Sequence, residues 1–378
     1  MSRRVSLKDA TRAVRSGLTA VRRGDPLHAG PAFVSTFHTP GDASDGYSYG
    51  RSHQPTWTAL ETAIGELEVD AGHEPAQVRV FGSGLAAVGA VFGAVLRPGD
   101  TCVLQAGTYF GARQLLNEMF VPVGVTVRTL ACGDLASAEV LRGARLVWVE
   151  TPGNPGLEIA DIWGAVAAAR EVGALVAVDN TTATPLGQRP LELGADFSVC
   201  SDSKAMCGQS DVLLGHVAVW DAELSSKIDR QRTLRGAIAG PMEAWLAIRS
   251  LATLPLRLDR MSANALAVAE FLQSRGEVSE VLYPGLEKHS GHAVAKSQMR
   301  YFGPVVSFTL ASKEAAERFL SAAELVTEAT SFGGVTTTAE RRGRWGSDDV
   351  AEGFIRMSVG CEDAGDLIAD MELALDVL

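Results

Sequence analysis

Between residues 76 and 220 the chain alternates short apolar runs with helical patterns, and this alternation restricts the fold more than any other feature. The runs "AQVRVFG", "TCVLQ", "VTVRTL", "ARLVWVE", "LVAVDN", "FSVCSD" and "VLLGHVAVW" read as strands, and strands so rich in Val and Leu need cover on both faces. "SGLAAVGAVFGAVL", "GARQLLNEMF" and "DIWGAVAAAREVG" supply the helices. The implied fold class is α/β, a mostly parallel sheet with helices on both faces. Ligands of such sheets sit beyond the carboxyl ends of the strands. Glu150, Asp179 and Ser201 all fall at such ends, so they are expected to face one crevice.

The flanking segments differ in character. Residues 1–48 are basic, then rich in Gly, Pro, Ser and Thr, with one short helix at most, and read as an arm that packs on something else. Residues 49–235 hold the alternating pattern. From 236 onward long helices such as "RLDRMSANALAVAEFLQSRG" are followed by strands "VSEVLY", "VVSFTL" and "FIRMSVG", which predicts a smaller α+β domain over 236–378. A chain of 378 residues is long enough for such a division.

Charge and cysteine content narrow the function. A net charge of -11 argues against nucleic acid or an anionic membrane as partner, because both require a basic face. The longest apolar run, "LAAVGAVFGAVL", is too short to span a bilayer, and the Arg-rich start lacks the apolar core of a signal peptide. The five cysteines are scattered without CxxC spacing, which predicts neither disulfides nor a metal site and suits a reducing cytoplasm.

Four features converge on one chemistry. The turn Ser83-Gly84-Leu85 precedes a helix, whose N-terminal amides suit an anion. Asp179 ends an apolar strand, where a carboxylate needs a partner. Lys204 follows another strand end, flanked by the hydroxyls of Ser201 and Ser203, and Asn154 offers an amide in the turn "ETPGNPG". A phosphorylated aromatic aldehyde with a ring nitrogen accounts for all four. Its phosphate would take the glycine turn and hydroxyls, Lys204 its aldehyde as a Schiff base, and Asp179 its protonated nitrogen. That ligand is pyridoxal 5'-phosphate.

The sequence also resembles the Cys/Met-metabolism pyridoxal phosphate enzymes, the trans-sulfuration family, and is most similar to cystathionine γ-lyase. The resemblance runs from about residue 28 to the C-terminus and rests on "YGRSHQPT", "SGLAA", "YFGA", "ETPGNP", "VDNTTATP", "SDSKAMCGQSD" and "FIRMSVGCED". It implies an aspartate-aminotransferase-like (type I) fold. It also implies Lys204 as Schiff-base lysine and proton shuttle, Asp179 as partner of the ring nitrogen, and Asn154 near the ring hydroxyl. Ser83, Gly84, Leu85, Ser201 and Ser203 become phosphate binders, joined by Tyr49 and Arg51 from a neighbouring subunit. Tyr109 would stack on the ring and act as acid or base, Arg356 would clamp the substrate α-carboxylate, and Ser331 would lie near the lysine. A homo-oligomer follows, a tetramer by family habit.

The activity implied is a carbon-sulfur lyase that eliminates the γ-thiol of cystathionine or a related sulfur amino acid, giving cysteine, 2-oxobutanoate and ammonia. γ-Replacement on an O-acylated homoserine shares every cofactor residue, and methionine or homocysteine γ-lyase and cystathionine β-lyase activities belong to the same group. Several positions depart from the family pattern: Ala205, Gln209, Gln54, Gln114 beside Arg113, Thr336 in place of a glutamate, and the stretch "AERRGRWGSDD". Two other readings fare worse. A nicotinamide dehydrogenase could use "GSGLAA" but lacks the expected acid near Gln105, and a non-catalytic scaffold would have no use for Lys204 and Tyr109.

Overall fold

The computed structural model describes residues 7–19, 22–42 and 46–378. Part of the proposed arm, residues 1–6, 20–21 and 43–45, therefore lies outside the described residues. Two sheets organise the rest. The larger has seven strands, β1 (Gln77–Phe81), β2 (Thr101–Gln105), β3 (Thr126–Leu130), β4 (Leu146–Glu150), β5 (Leu175–Asp179), β6 (Phe197–Cys200) and β7 (Gly215–Val219), in the order β1-β7-β6-β5-β4-β2-β3. Strands β3, β2, β4, β5 and β6 run parallel, and β7 is antiparallel to both of its neighbours. The mostly parallel sheet is the expected one.

Both faces are covered because successive side chains point to opposite sides. On one face Leu104, Leu146, Trp148, Phe197 and Val217 pack under the apolar helix Gly84–Val95. On the other Val103, Val147, Val149, Val176 and Val178 pack against Ile162–Glu171. This two-sided burial explains why the strands read as unbroken apolar runs.

The smaller sheet is built from β8 (Val278–Leu282), β9 (Val305–Leu310), β10 (Thr327–Glu328), β11 (Thr338–Arg341) and β12 (Phe354–Ser358), ordered β10-β11-β12-β9-β8. Its core includes Val306, Phe308, Ile355 and Met357, packed against Phe319 and Met371 of two helices.

Three local expectations change. "GARQLLNEMF" is α-helical only over Phe110–Leu115, then widens into a π turn at Leu116–Phe120 and tightens at Val121–Val123, where Pro122 has no N–H to extend the ladder. "VLLGHVAVW" pairs only from Gly215. Strand β11 was not expected, because "TAER" carries charge; its Glu340 and Arg341 are nonetheless buried among other charged side chains.

Trp148, fully buried at the centre of the sheet, meets Phe92 edge-on at 4.9 Å and fixes the helix Gly84–Val95 to β4. Trp148→Ala is expected to cost about 3–5 kcal/mol, read as a lower melting temperature; an unchanged melting temperature would contradict this packing account.

Candidate active site

The carboxyl ends of β4, β5 and β6 open into a cavity of about 550 Å³ that also touches β12 and the 330–347 segment. Its lining brings together Ser83, Gly84, Leu85, Tyr109, Asn154, Asp179, Ser201, Ser203, Lys204, Ser331 and Arg356. Each of these was singled out from the sequence. Tyr49 and Arg51 are not in the lining: both are exposed, with Arg51 stacked 5.5 Å over the Tyr49 ring and donating to the Thr233 carbonyl at 2.9 Å.

One end of the cavity is made by the start of the helix Gly84–Val95. Ser83 caps it, its hydroxyl accepting from the Ala86 amide at 3.1 Å. Gly84 cannot be replaced: a Cβ there would lie 2.4 Å from the Ser201 Cβ. The helix start is thereby pressed against the strand end carrying Ser201, leaving amide donors and a hydroxyl beside one another. Such a cradle fits a phosphate. Ser203 is more committed, since its hydroxyl both donates to the Leu214 carbonyl (3.1 Å) and accepts from the Leu214 amide (2.9 Å).

Two carboxylates stand side by side at the floor, Glu150 and Asp179, directly paired in the β4–β5 register. Burial raises both, and for Glu150 the neighbouring Asp179 raises it further. Asp179 is the better stabilised as an anion, accepting from the Thr181 hydroxyl at 2.5 Å and the Thr181 amide at 3.1 Å. Glu150 accepts from the Tyr109 amide at 2.6 Å. Glu150 therefore carries the proton and Asp179 the charge, which suits Asp179 to a cationic ring nitrogen. The Thr181 hydroxyl also accepts from the Ser201 amide at 2.8 Å, tying this carboxylate to the anion cradle.

Lys204 lies opposite, its Nζ donating to the Ser331 Oγ at 2.6 Å and standing 5.2 Å from the Phe332 ring centre. Burial, helped by the charge of Arg356, lowers its pKa to about 8, so a substantial part is neutral amine near physiological pH. Ser331 holds a left-handed backbone (φ 80°), unusual for a residue with a side chain, which aims its hydroxyl at the lysine. Burial above all raises the Tyr109 phenol, and the Asp179 carboxylate acts in the same direction, so it stays protonated.

Arg356 is buried against Asn154 Oδ1 (3.0 Å), the Ser331 carbonyl (2.8 Å) and Glu340, while its Nε has no partner among the described residues. Burial draws its pKa down to about 10 against the pull of Glu340. Glu340 is the residue the sequence reading missed. It accepts from Arg356, from Arg342 (2.7 Å), from the Trp345 indole (2.8 Å) and from Thr330 (3.2 Å). A polar "TAER" run gave no sign of burial. Arg342 and Trp345, from the departing "AERRGRWGSDD" stretch, line the mouth of the cavity, whereas Thr336 is exposed and outside the lining.

The comparisons agree with this geometry. The family model described as Cys/Met metabolism PLP-dependent enzyme matches residues 11–376. A Streptomyces coelicolor protein with the provisional name cystathionine gamma-lyase is 55% identical over 97% of this chain and 93% of its own length. Cystathionine gamma-synthase of Mycobacterium tuberculosis is 39% identical over 97% of this chain and 96% of its own. The crystal structure of cystathionine gamma synthase from Xanthomonas oryzae pv. oryzae in complex with cystathionine superposes with a TM-score of 0.92 at 34% identity, covering 98% of both chains. The chain belongs to the Cys/Met-metabolism family of pyridoxal-phosphate-dependent enzymes and has their type I fold.

Proposed function

We propose that this enzyme is a carbon-sulfur lyase that eliminates the γ-thiol of cystathionine or a related sulfur amino acid. With cystathionine and water the products are cysteine, 2-oxobutanoate and ammonia. The observation that carries this reading is the placement of a neutral-prone Lys204 amine, the Asp179 carboxylate and the Arg356 guanidinium around one cavity. Pyridoxal phosphate, when bound, supplies the electron sink that makes carbon-hydrogen bonds of an amino acid acidic.

The chain's own residues would do the rest. Ser201 and the amides after Ser83 would hold the phosphate, joined by Ser203 once its hydroxyl turns from the Leu214 carbonyl. Asp179 would keep the ring nitrogen protonated, and Asn154 would face the ring hydroxyl. Arg356, oriented by Glu340, would receive the α-carboxylate in the cavity. The Lys204 amine would hold the cofactor's aldehyde, and as a free amine would take the Cα proton and pass protons between substrate carbons. The protonated Tyr109 would stack on the ring and give its proton to the departing thiolate. Phe110, Leu213 and Trp345 line the mouth with apolar surface that limits water.

The γ-replacement reading keeps the same machinery and ends with a thiol in place of water. It draws on the synthase relative at 39% identity and on Thr336, which puts no carboxylate where the family has its glutamate. We further infer a division into an arm (1–48), a cofactor-binding part (49–235) and a C-terminal part (236–378). Tyr49 and Arg51 would then complete a neighbour's site in a homo-oligomer, with a tetramer the form the family suggests. No described helix is long and apolar enough to cross a membrane, and five free cysteines suit a cytoplasmic setting.

Incubation of the holoenzyme with cystathionine, homocysteine, methionine and an O-acylated homoserine should release 2-oxobutanoate from a thioether substrate, and Lys204→Ala should reduce this by at least about 10³-fold. Thioether formation that requires an added thiol and releases no oxoacid would sink the lyase reading. In the cofactor-free protein, the amine of Lys204 becomes neutral through pH about 8 as pH rises, so the rate of condensation with pyridoxal phosphate should level off above that pH. A rate still climbing steeply beyond pH about 10, the range of an ordinary lysine, would contradict the buried amine. For the shared site, mixing inactive Arg51→Ala and Lys204→Ala subunits should restore activity, because some mixed sites regain both residues; no recovery after verified subunit exchange would show that Arg51 serves its own chain or none.

A further inference from the structure

Behind the Lys204 turn, on the side away from the cavity, lies a charged cluster with no place in the chemistry described so far. His216 is fully buried in β7, directly opposite Cys200, the last residue of β6. Its Nδ1 is 2.7 Å from Asp202 Oδ1 and its Nε2 2.8 Å from Glu68 Oε1. Glu68 caps the C-terminal end of the helix Pro55–Leu67 and accepts also from Ser198 at 3.2 Å. Glu68 and Asp202 are as buried as the imidazole.

A neutral imidazole has one N–H and could donate to only one of these carboxylates. With both ring nitrogens at bonding distance of a carboxylate oxygen, a doubly protonated ring satisfies both contacts at once. Burial pulls the imidazole toward its neutral form, but Asp202 and Glu68 outweigh it and hold the pKa up to about 10. Cys200 Sγ lies within 4.8 Å of the His216 and Glu68 donors. Burial and the surrounding carboxylates push its thiol well up, so it contributes no charge and no thiolate ligand.

Such a cluster is a poor source of stability. Two carboxylate oxygens, Glu68 Oε2 and Asp202 Oδ2, have no partner among the described residues, and an apolar filling of this space would be as stable or more so. What the cluster does supply is direction. Ser201, Ser203 and Lys204 line the cavity, while Asp202, between them, points the opposite way into the clamp. The Asp202 carbonyl also accepts from the Cys207 amide at 3.0 Å, so the residue is tied at both its backbone and its side chain.

We propose that His216, clamped between Asp202 and Glu68, is a positioning residue that fixes the orientation of the turn carrying Ser201, Ser203 and Lys204, and so sets how tightly the cofactor's phosphate is held. This rests on the phosphate lying at Ser201 and the helix start. It predicts a selective defect, greater for pyridoxal phosphate than for pyridoxal, which has the same ring and aldehyde but no phosphate.

The test is titration of cofactor-free protein with pyridoxal phosphate and with pyridoxal, followed by visible absorbance, alongside melting temperatures. Asp202→Ala and His216→Gln should weaken pyridoxal phosphate by about 10-fold or more, the equivalent of about 1.4 kcal/mol, and pyridoxal several-fold less. Asp202→Asn keeps an oxygen that accepts from Nδ1–H and should recover most of the affinity, as should Glu68→Gln, which keeps the Nε2 acceptor. Should Asp202→Ala fail to fold, His216→Gln carries the comparison. Equal loss for the two ligands, or unchanged affinity for both, would overturn the proposal. Ser201→Ala separates this from the site assignment itself: if that variant binds pyridoxal phosphate as tightly as the unaltered protein, the phosphate lies elsewhere and both fail; if it weakens binding while His216→Gln and Asp202→Ala do not, only the positioning role falls.

Discussion

The close approach of the helix start at Gly84 to the strand ends of β6 and β7 is the constraint on which the site depends. A side chain at Gly84 would overlap Ser201, and one at Gly215 would come within 2.6 Å of the Gly84 Cα. Only with both positions bare can the amides of the helix and the hydroxyl of Ser201 share one small space. Everything else in the cavity is placed relative to that contact. Asp179 is joined to it through Thr181, and Lys204 follows it on the same turn.

Around this cradle the charges are sorted by their surroundings. Two adjacent carboxylates at the floor cannot both ionise in a buried site, and the Thr181 bonds decide that Asp179 is the anion. The lysine is lowered by burial and by Arg356, which keeps an amine available. Arg356 keeps its cationic form through Glu340: burial works against ionisation of that carboxyl, yet Arg356, Trp345 and Arg342 outweigh it and hold its pKa below the usual range. Arg356 is thus part of a chain of pairs running through Glu340 and Arg342 to Asp348 (2.9 Å). Substitutions in the 340–348 stretch reach Arg356 through Glu340.

Much of this was readable beforehand because the signals are local. Unbroken Val and Leu runs specify strands buried on both faces, and the Ser-Gly turn before the apolar helix and the strand-end lysine with its hydroxyls, each singled out by local pattern, lie in one cavity lining. Glu340 and the His216 clamp were not readable. A buried charge looks like a surface charge in one dimension: Glu68 and His216 meet across 148 residues, and although Glu340 and Arg356 are only 16 apart, nothing in their strands shows that the two pair in the interior. Likewise the widening of the helix after Leu115 and the short pairing of β7 depend on what they pack against. Tyr49 and Arg51 are a different case, since their expected role concerns a second chain and a single chain leaves them outside the cavity.

The central claim is that Lys204 is the covalent anchor of the cofactor in this cavity. Borohydride reduction of the holoenzyme, followed by proteolysis and mass spectrometry, tests it directly. A pyridoxyl-phosphate adduct confined to the peptide containing Lys204 is the predicted result; an adduct on another lysine, or none in protein that retains its visible absorbance, would contradict the account.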